Sequence, residues 1–210
     1  MERVCESLGL SATTDQQAAL LSYLELLGRW NQTHNLTAIR RPAEMLTQHL
    51  ADCLAAVAAL GRHACGATAR RILDVGSGGG LPGLLLAMFR PASTVVCIDA
   101  VAKKAAFIRQ AAGQLRLENA EARHGRVEAL PGPPFDLITA RALATLAQFV
   151  QMTRHLLAEG GCWMAMKGQA PGEEILQLPP EVEAFHVERL SVPGLDAQRC
   201  LVWMRLRRDT

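Results

Sequence analysis

The sequence predicts an α/β protein built on a doubly wound, mostly parallel sheet with helices on both faces. From Arg71 onward, short apolar or β-branched runs alternate with helix-length segments, which is typical of βαβ units. A glycine-rich loop follows the first of these runs, at the position where open parallel sheets bind ligands. Two runs near the C terminus have no helix between them, so we expect the sheet to end in antiparallel strands.

The strands and helices follow one another in a regular order. Strands are predicted at Ile72 to Val75, Thr94 to Ile98, Phe135 to Thr139, Cys162 to Met166, Ala184 to Leu190 and Cys200 to Arg205. Helices are predicted at Pro82 to Phe89, Val101 to Leu117 and Leu143 to Leu157.

The first quarter of the chain predicts helices instead. Thr14 to Gln17 has the form of a capping box, and leucines follow it at spacings of four and three on one helical face. Pro42 suits the first turn of a second helix, which buries Leu50 and Val57. We therefore expect residues 1–66 to form a helical extension that packs on an α/β domain of residues 67–210.

The composition favours a soluble cytoplasmic protein. Half of the residues are apolar and 20% are charged, which excludes a disordered chain. The longest apolar run, Cys53 to Leu60, is far shorter than the roughly 20 residues of a membrane span, and the chain begins without a signal-peptide core. The net charge of +2 does not by itself indicate nucleic acid, so an RNA partner requires a local basic patch.

The cysteines are scattered singly along the chain, at Cys5, Cys53, Cys65, Cys97, Cys162 and Cys200. They include no C-x-x-C pair, so neither a zinc site nor a disulfide framework is predicted. We expect six reduced, buried thiols and no bound metal.

The loop LDVGSGGGLPG, residues 73–83, predicts a ligand cradle because glycine allows close backbone approach and positive φ. It lacks the lysine and hydroxyl of a P-loop. Gly78, Gly80 and Gly83 match G-x-G-x-x-G, and Asp99 lies about 20 residues further on, so a dinucleotide stays possible. Asp74 argues against it, because a carboxylate repels a pyrophosphate and attracts a cation.

S-adenosylmethionine carries an ammonium and a sulfonium and no phosphate, so it suits a loop that begins with Asp74. Read as D-x-G-x-G-x-G, Asp74 to Gly80 resembles the first motif of class I methyltransferases. Asp99 ends the next strand, where it either accepts hydrogen bonds from ribose hydroxyls or caps the helix from Val101 beside Lys103.

Two cations follow neighbouring strands at the same edge of the predicted sheet. Arg141 follows the strand Phe135 to Thr139, and Lys167 follows the strand Cys162 to Met166. Two such cations favour an anionic or electron-rich molecule beside the methyl donor, although strand-end charges can simply be solvated. The turn Gly125 to Glu128 lies where such folds contact adenine.

Several runs together resemble one bacterial family: WNQTHNLT, HLADC, LDVGSGGGLPG, DAVAKKAAFIRQ, GRVE, FDLITARALA and MKGQ. The chain is similar, from about Leu20 to Arg205, to the 16S ribosomal RNA guanine-N7 methyltransferases, also called glucose-inhibited division protein B. The resemblance implies a Rossmann-like class I methyltransferase fold, a monomer, S-adenosylmethionine as cofactor, and 16S ribosomal RNA or the small ribosomal subunit as partner, with guanine 527 as target.

The resemblance also implies site residues. Cofactor contacts are expected at Gly76, Leu81, Val127, Glu128 and Arg141, alongside Asp74, Gly78, Gly80 and Asp99. Substrate contacts are expected at Asn35, Arg141, Lys167 and Arg199, of which Arg141 and Lys167 are assigned the catalytic, orienting role. The family commonly has serine where this chain has Cys53, after His49 and Asp52 in HLADC.

The predicted reaction needs no general base. The strand Phe135 to Thr139 is followed neither by the [DNS]-P-P-[YFW] motif of exocyclic-amine methyltransferases nor by the cysteine of a covalent C5 mechanism. Guanine N7 carries an in-plane lone pair and no proton. Three other functions stay open: an NAD(P)-dependent oxidoreductase, a small-molecule methyltransferase, and a non-catalytic RNA-binding assembly factor. Candidate RNA-backbone contacts are Arg40, Arg41, Arg199, Arg205, Arg207 and Arg208.

Overall fold

The structure, a computed structural model, describes residues 1–207 and contains one seven-stranded sheet. Its strands are β1 (Arg71–Val75), β2 (Thr94–Asp99), β3 (Ala120–His124), β4 (Phe135–Arg141), β5 (Leu157–Lys167), β6 (Val182–Leu190) and β7 (Arg199–Leu206). The spatial order is β3-β2-β1-β4-β5-β7-β6. The first five strands are parallel, and β7 lies antiparallel between β5 and β6, so the predicted fold class and antiparallel end are confirmed.

Nine α-helices are present in the described residues, with a π-helical turn at Leu46–Ala51 between the third and the fourth. They are α1 (Glu2–Ser7), α2 (Thr14–His34), α3 (Pro42–Met45), α4 (Asp52–Leu60), α5 (Ala64–Thr68), α6 (Gly83–Phe89), α7 (Ala102–Gln114), α8 (Leu146–Thr153) and α9 (Gly172–Leu176). None of these helices is both long and apolar enough to cross a membrane.

The two predicted starts of the N-terminal helices differ in accuracy. The capping box of α2 is formed by Thr13 and Gln16, whose side chains each bond the other's backbone N–H, one residue before the predicted pair. The prediction missed it because Thr13 and Thr14 both fit the pattern. Pro42 does open α3, as predicted, since its missing N–H costs nothing at a first helical position.

Two apolar clusters cover the two faces of the sheet. The larger joins residues of α2, α4, α6 and α7 to one face, so Leu20 and Leu54 share a core with Ile72. The smaller packs α8 against the other face through Phe149 and Trp163. The N-terminal helices therefore lie on the sheet rather than apart from it, and the division of the chain at residue 66 stays a prediction.

The expectation of six free thiols is wrong for two of them. Cys65 of α5 and Cys162 of β5 form a disulfide. The pairing escaped sequence analysis because the two residues are 97 positions apart and meet only when α5 packs beside β5. Cys5, Cys53, Cys97 and Cys200 are free and buried, as expected.

Candidate active site

The glycine loop connects β1 to α6 through a series of backbone conformations that favour glycine. Gly76, Gly78 and Gly80 have φ values of +65°, +58° and +79°. At Gly76 a Cβ atom would also collide with the side chain of Leu143, so the backbone there is in close contact with the segment after β4. The loop is thus shaped by glycine at each turn, as the sequence predicts for a cradle.

Asp74 lies beneath this loop rather than in an open crevice. Its side chain is fully buried, and Oδ2 accepts a hydrogen bond from the Gly83 N–H at 3.0 Å, which fastens the end of β1 to the start of α6. Oδ1 is buried without a hydrogen-bond partner. Burial raises the pKa of Asp74 to about 7. The carboxyl group is therefore primarily a support of the loop, with one oxygen left unpaired.

A cavity of about 440 Å³ opens at the carboxyl ends of β1, β2 and β4. Its wall brings together five of the residues expected to contact a cofactor: Gly76, Asp99, Val127, Glu128 and Arg141. Gly78, Gly80 and Leu81 lie in the adjacent loop and are not part of the wall. Cavities of roughly 300–1,000 Å³ are typical of small-molecule and cofactor sites. The geometry thus collects separate chain segments around one pocket.

Asp99 accepts hydrogen bonds from two backbone N–H groups, one just before α7 and one in the glycine loop, and its contact with a ribose stays a prediction. Oδ1 accepts a hydrogen bond from the Val101 N–H at 2.9 Å, which supports the start of α7, and Oδ2 accepts one from Gly78 N at 2.9 Å. The nearby cation is Lys104, at 3.9 Å from Oδ2, rather than the expected Lys103. Because each carboxylate oxygen can accept a second hydrogen bond, Asp99 can still bind a hydroxyl from the cavity.

Arg141 is held in the cavity wall by the segment that precedes α4. Its Nη1 donates to the carbonyl oxygen of Gln48 and to His49 Nδ1, both at 3.3 Å, and lies 3.7 Å from Asp52 Oδ2. His49 Nε2 pairs with Thr37 Oγ1 at 2.8 Å, so the ring carries its proton on Nε2. Burial, together with the charge of Arg141, lowers the pKa of His49 to about 4. His49 is therefore a neutral acceptor for Arg141.

The other expected substrate residues lie outside this cavity wall. Asp52 is 4% exposed and also bonds Arg199 Nε at 3.0 Å, so one carboxylate holds both arginines. Burial raises the pKa of Asp52, and the two arginines oppose that shift. Lys167 Nζ is paired with Glu174 of α9 at 2.8 Å. Asn35 ends α2 with φ +48° and accepts a hydrogen bond from Arg40.

The basic residues expected to contact RNA are not gathered on one face. Arg199 begins β7, close to the end of β5, whereas Arg205 and Arg207 follow at the opposite end of β7 and are paired with Glu183. Arg41 pairs with Glu44 at 3.5 Å. Arg208 lies outside the described residues.

Two residues that support the site, Tyr23 and Leu143, were not predicted from the sequence, and the role of Cys53 was left open. Tyr23, the chain's single tyrosine, is fully buried in α2 and donates its hydroxyl to the carbonyl oxygen of Gly79 at 2.7 Å, which ties the N-terminal helices to the loop. Leu143 covers Gly76 and lines the cavity. Cys53, in the position where serine was expected, is fully buried, and burial raises its pKa to about 12, so it is an apolar core residue.

The family model and the curated relatives of this chain carry the same description. The family model described as rRNA small subunit methyltransferase G matches residues 16–202. The curated protein of that name from Leptothrix cholodnii is 58% identical over 96% of this chain and 92% of its own, and that from Methylibium petroleiphilum is 54% identical over 97% and 92%.

Among solved structures, the SAH-bound Podospora anserina methyltransferase PaMTH1 superposes with a TM-score of 0.57 at 17% identity, covering 90% of this chain and 88% of the other. That likeness concerns the fold. Because the family model matches most of this chain and both curated relatives are more than 50% identical to it, the chain belongs to the rRNA small subunit methyltransferase G family.

Proposed function

We propose that this protein transfers a methyl group from S-adenosylmethionine to N7 of a guanine in 16S ribosomal RNA. The observation that carries the proposal is the cavity of about 440 Å³, whose wall brings together Gly76 of the glycine loop, Asp99, the Val127–Glu128 turn and Arg141. The names of the relatives support an rRNA substrate and favour methyl transfer over the oxidoreductase and the non-catalytic assembly factor.

The residues present fit S-adenosylmethionine. Gly76 exposes backbone to the cavity at a position where a side chain would not fit. Asp99 offers anchored carboxylate oxygens to a ribose, and Asp74 keeps one unpaired oxygen close behind the loop. Once bound, the cofactor supplies an electrophilic methyl group on a sulfonium.

The protein's own contribution is to hold the guanine in line, because orientation supplies much of the rate of such a transfer. The hydrogen bonds of Arg141 within the described residues run through Nη1, which leaves Nη2 and Nε as donors toward a guanine O6 or a phosphate. The Nδ1 lone pair of His49 is taken by Arg141, so this imidazole is not available as a general base. That arrangement suits a nucleophile that carries no proton.

Lys167 requires a different role from the one assigned to Arg141. Its ammonium is held by Glu174 and by the carbonyl oxygen of Ala144, both at 2.8 Å. In this arrangement it positions the segment after β4 against α9. Its contact with substrate requires that the pair with Glu174 open, so we propose Arg141 as the principal orienting residue and Lys167 as a support.

The test uses small ribosomal subunits and naked 16S RNA from cells that lack the endogenous activity. Each is incubated with the protein and S-adenosylmethionine labelled in the methyl group, and N7-methylguanine is then mapped by reduction and aniline cleavage. We expect cleavage at one guanine, with one of the two substrates preferred. Label on an exocyclic amine would contradict the N7 mechanism, and absence of any transfer despite cofactor binding would favour an assembly factor.

A further inference from the structure

A second cluster of polar side chains lies at the edge strand of the sheet, separated from the active-site cavity by β5 and β7. His63 immediately precedes α5, and His186 and Glu188 lie on β6. One ligand atom from each of the three lies within 4.8 Å of the others. His63 Nε2 is 3.9 Å from Glu188 Oε2, and the two imidazole rings are 4.6 Å apart. Folding therefore brings three metal-binding groups from two distant segments together.

Polar atoms in this cluster are buried without partners. His63 Nε2, Glu188 Oε2 and Nε1 of the adjoining Trp203 are three of the five buried side-chain nitrogen and oxygen atoms that have no hydrogen bond within residues 1–207. Buried polar groups are normally paired, so this concentration requires an explanation. An ion bound to His63 and Glu188 would satisfy two of the three atoms. His186 is exposed and gives an ion a route to them.

The surroundings orient the ligands. Arg62 contacts Glu188 Oε1 and thereby leaves Oε2 directed to the histidines. Partners that hold the second atom of a ligand are a regular part of metal sites.

We propose that His63, His186 and Glu188 bind a divalent zinc-type ion, with water completing a tetrahedral site. Two imidazoles and one carboxylate are a donor set that zinc accepts, and ligand atoms a few ångströms apart need only small side-chain movements to reach zinc at about 2.0–2.2 Å. The ion would join the segment before α5 to the edge strand β6. Sequence analysis did not predict this site because 123 positions separate the first and second ligands.

The test is a competition titration of the full chain, free of affinity tag and of metal, with Zn²⁺ against a chromophoric chelator. A parallel titration with Co²⁺ records the visible absorption of a site with histidine ligands. We expect one ion per chain and a higher Tm when it is bound. His186→Gln changes an exposed side chain, so it should leave the fold intact and weaken the affinity at least tenfold.

His155→Gln is the matched control, because it removes another exposed histidine that is not part of the cluster. It should bind Zn²⁺ like the wild type. Equal affinity of the wild type and His186→Gln would overturn the proposal, since the ion would then be bound elsewhere, for example by a thiol. Equal losses in both variants would overturn it as well, because they would indicate nonspecific histidine binding.

Discussion

Replacement of Asp74 by asparagine tests the electrostatics beneath the glycine loop while keeping an oxygen for the Gly83 N–H. Burial raises the pKa of Asp74 from 3.8 to about 7. A carboxyl group with a raised pKa in the folded state contributes stability at low pH, and that contribution is lost as the pH rises from about 4 to about 7. The full pKa shift corresponds to a loss of about 4 kcal/mol in the free energy of unfolding, of which about 3 kcal/mol is lost between about pH 5 and pH 8.

The assay is urea unfolding followed by tryptophan fluorescence at several pH values. We expect the free energy of unfolding of the wild type to fall, relative to Asp74→Asn, by about 3 kcal/mol over that range. Asp196→Asn, which alters an exposed carboxylate, should follow the wild type. A difference between wild type and Asp74→Asn that is the same at every pH would refute the reasoning, because Asp74 would then titrate alike in the folded and unfolded chain.

Three further predictions concern the cavity and its loop. Arg141→Ala should reduce methyl transfer by at least about 100-fold with an unchanged circular dichroism spectrum, and wild-type activity would contradict the orienting role. Gly76→Ala should weaken S-adenosylmethionine binding, measured by calorimetry, at least about tenfold. Gly160 has a similar φ of +73° with no atom near the position of a Cβ, so the control Gly160→Ala should leave S-adenosylmethionine binding unchanged. Gly83→Ala should lower the free energy of unfolding, measured in urea, by about 1–3 kcal/mol, because the new Cβ atom would lie 2.8 Å from Asp74 Oδ2. The Cβ atom of Gly61→Ala would meet nothing within 4 Å, so this control should leave the free energy of unfolding unchanged.

The fold was largely predictable because local signals agree with the global arrangement. Apolar runs alternate with helical periods from Arg71 onward, and Pro193–Gly194 separates the last two strands. The N-cap of α2, Thr13, was missed by one residue, since two adjacent threonines satisfy the same capping rule. The disulfide was missed because it depends on tertiary packing, which no spacing of single cysteines encodes.

The candidate site was predictable only where the chain itself brings residues to one edge of the sheet. Strand ends place Gly76, Asp99 and Arg141 around the cavity, and their positions in the sequence indicate as much. The pairing of Lys167 with Glu174 depends on how α9 turns back after β5, which the residue pattern does not specify. The contact of Tyr23 with Gly79 depends on how α2 docks, over a separation of 56 residues.

The sharing of Asp52 by Arg141 and Arg199 has a consequence for the binding of RNA that we propose. Both guanidinium groups are already paired with the Asp52 carboxylate, so a phosphate that binds either arginine must first replace that carboxylate. A polyanion that contacts only one of the two arginines gains little binding free energy from this replacement. Under the proposed function, an RNA whose backbone spans both arginines would displace Asp52 completely, so the internal counterion would make binding depend on the shape of the RNA as well as on its charge.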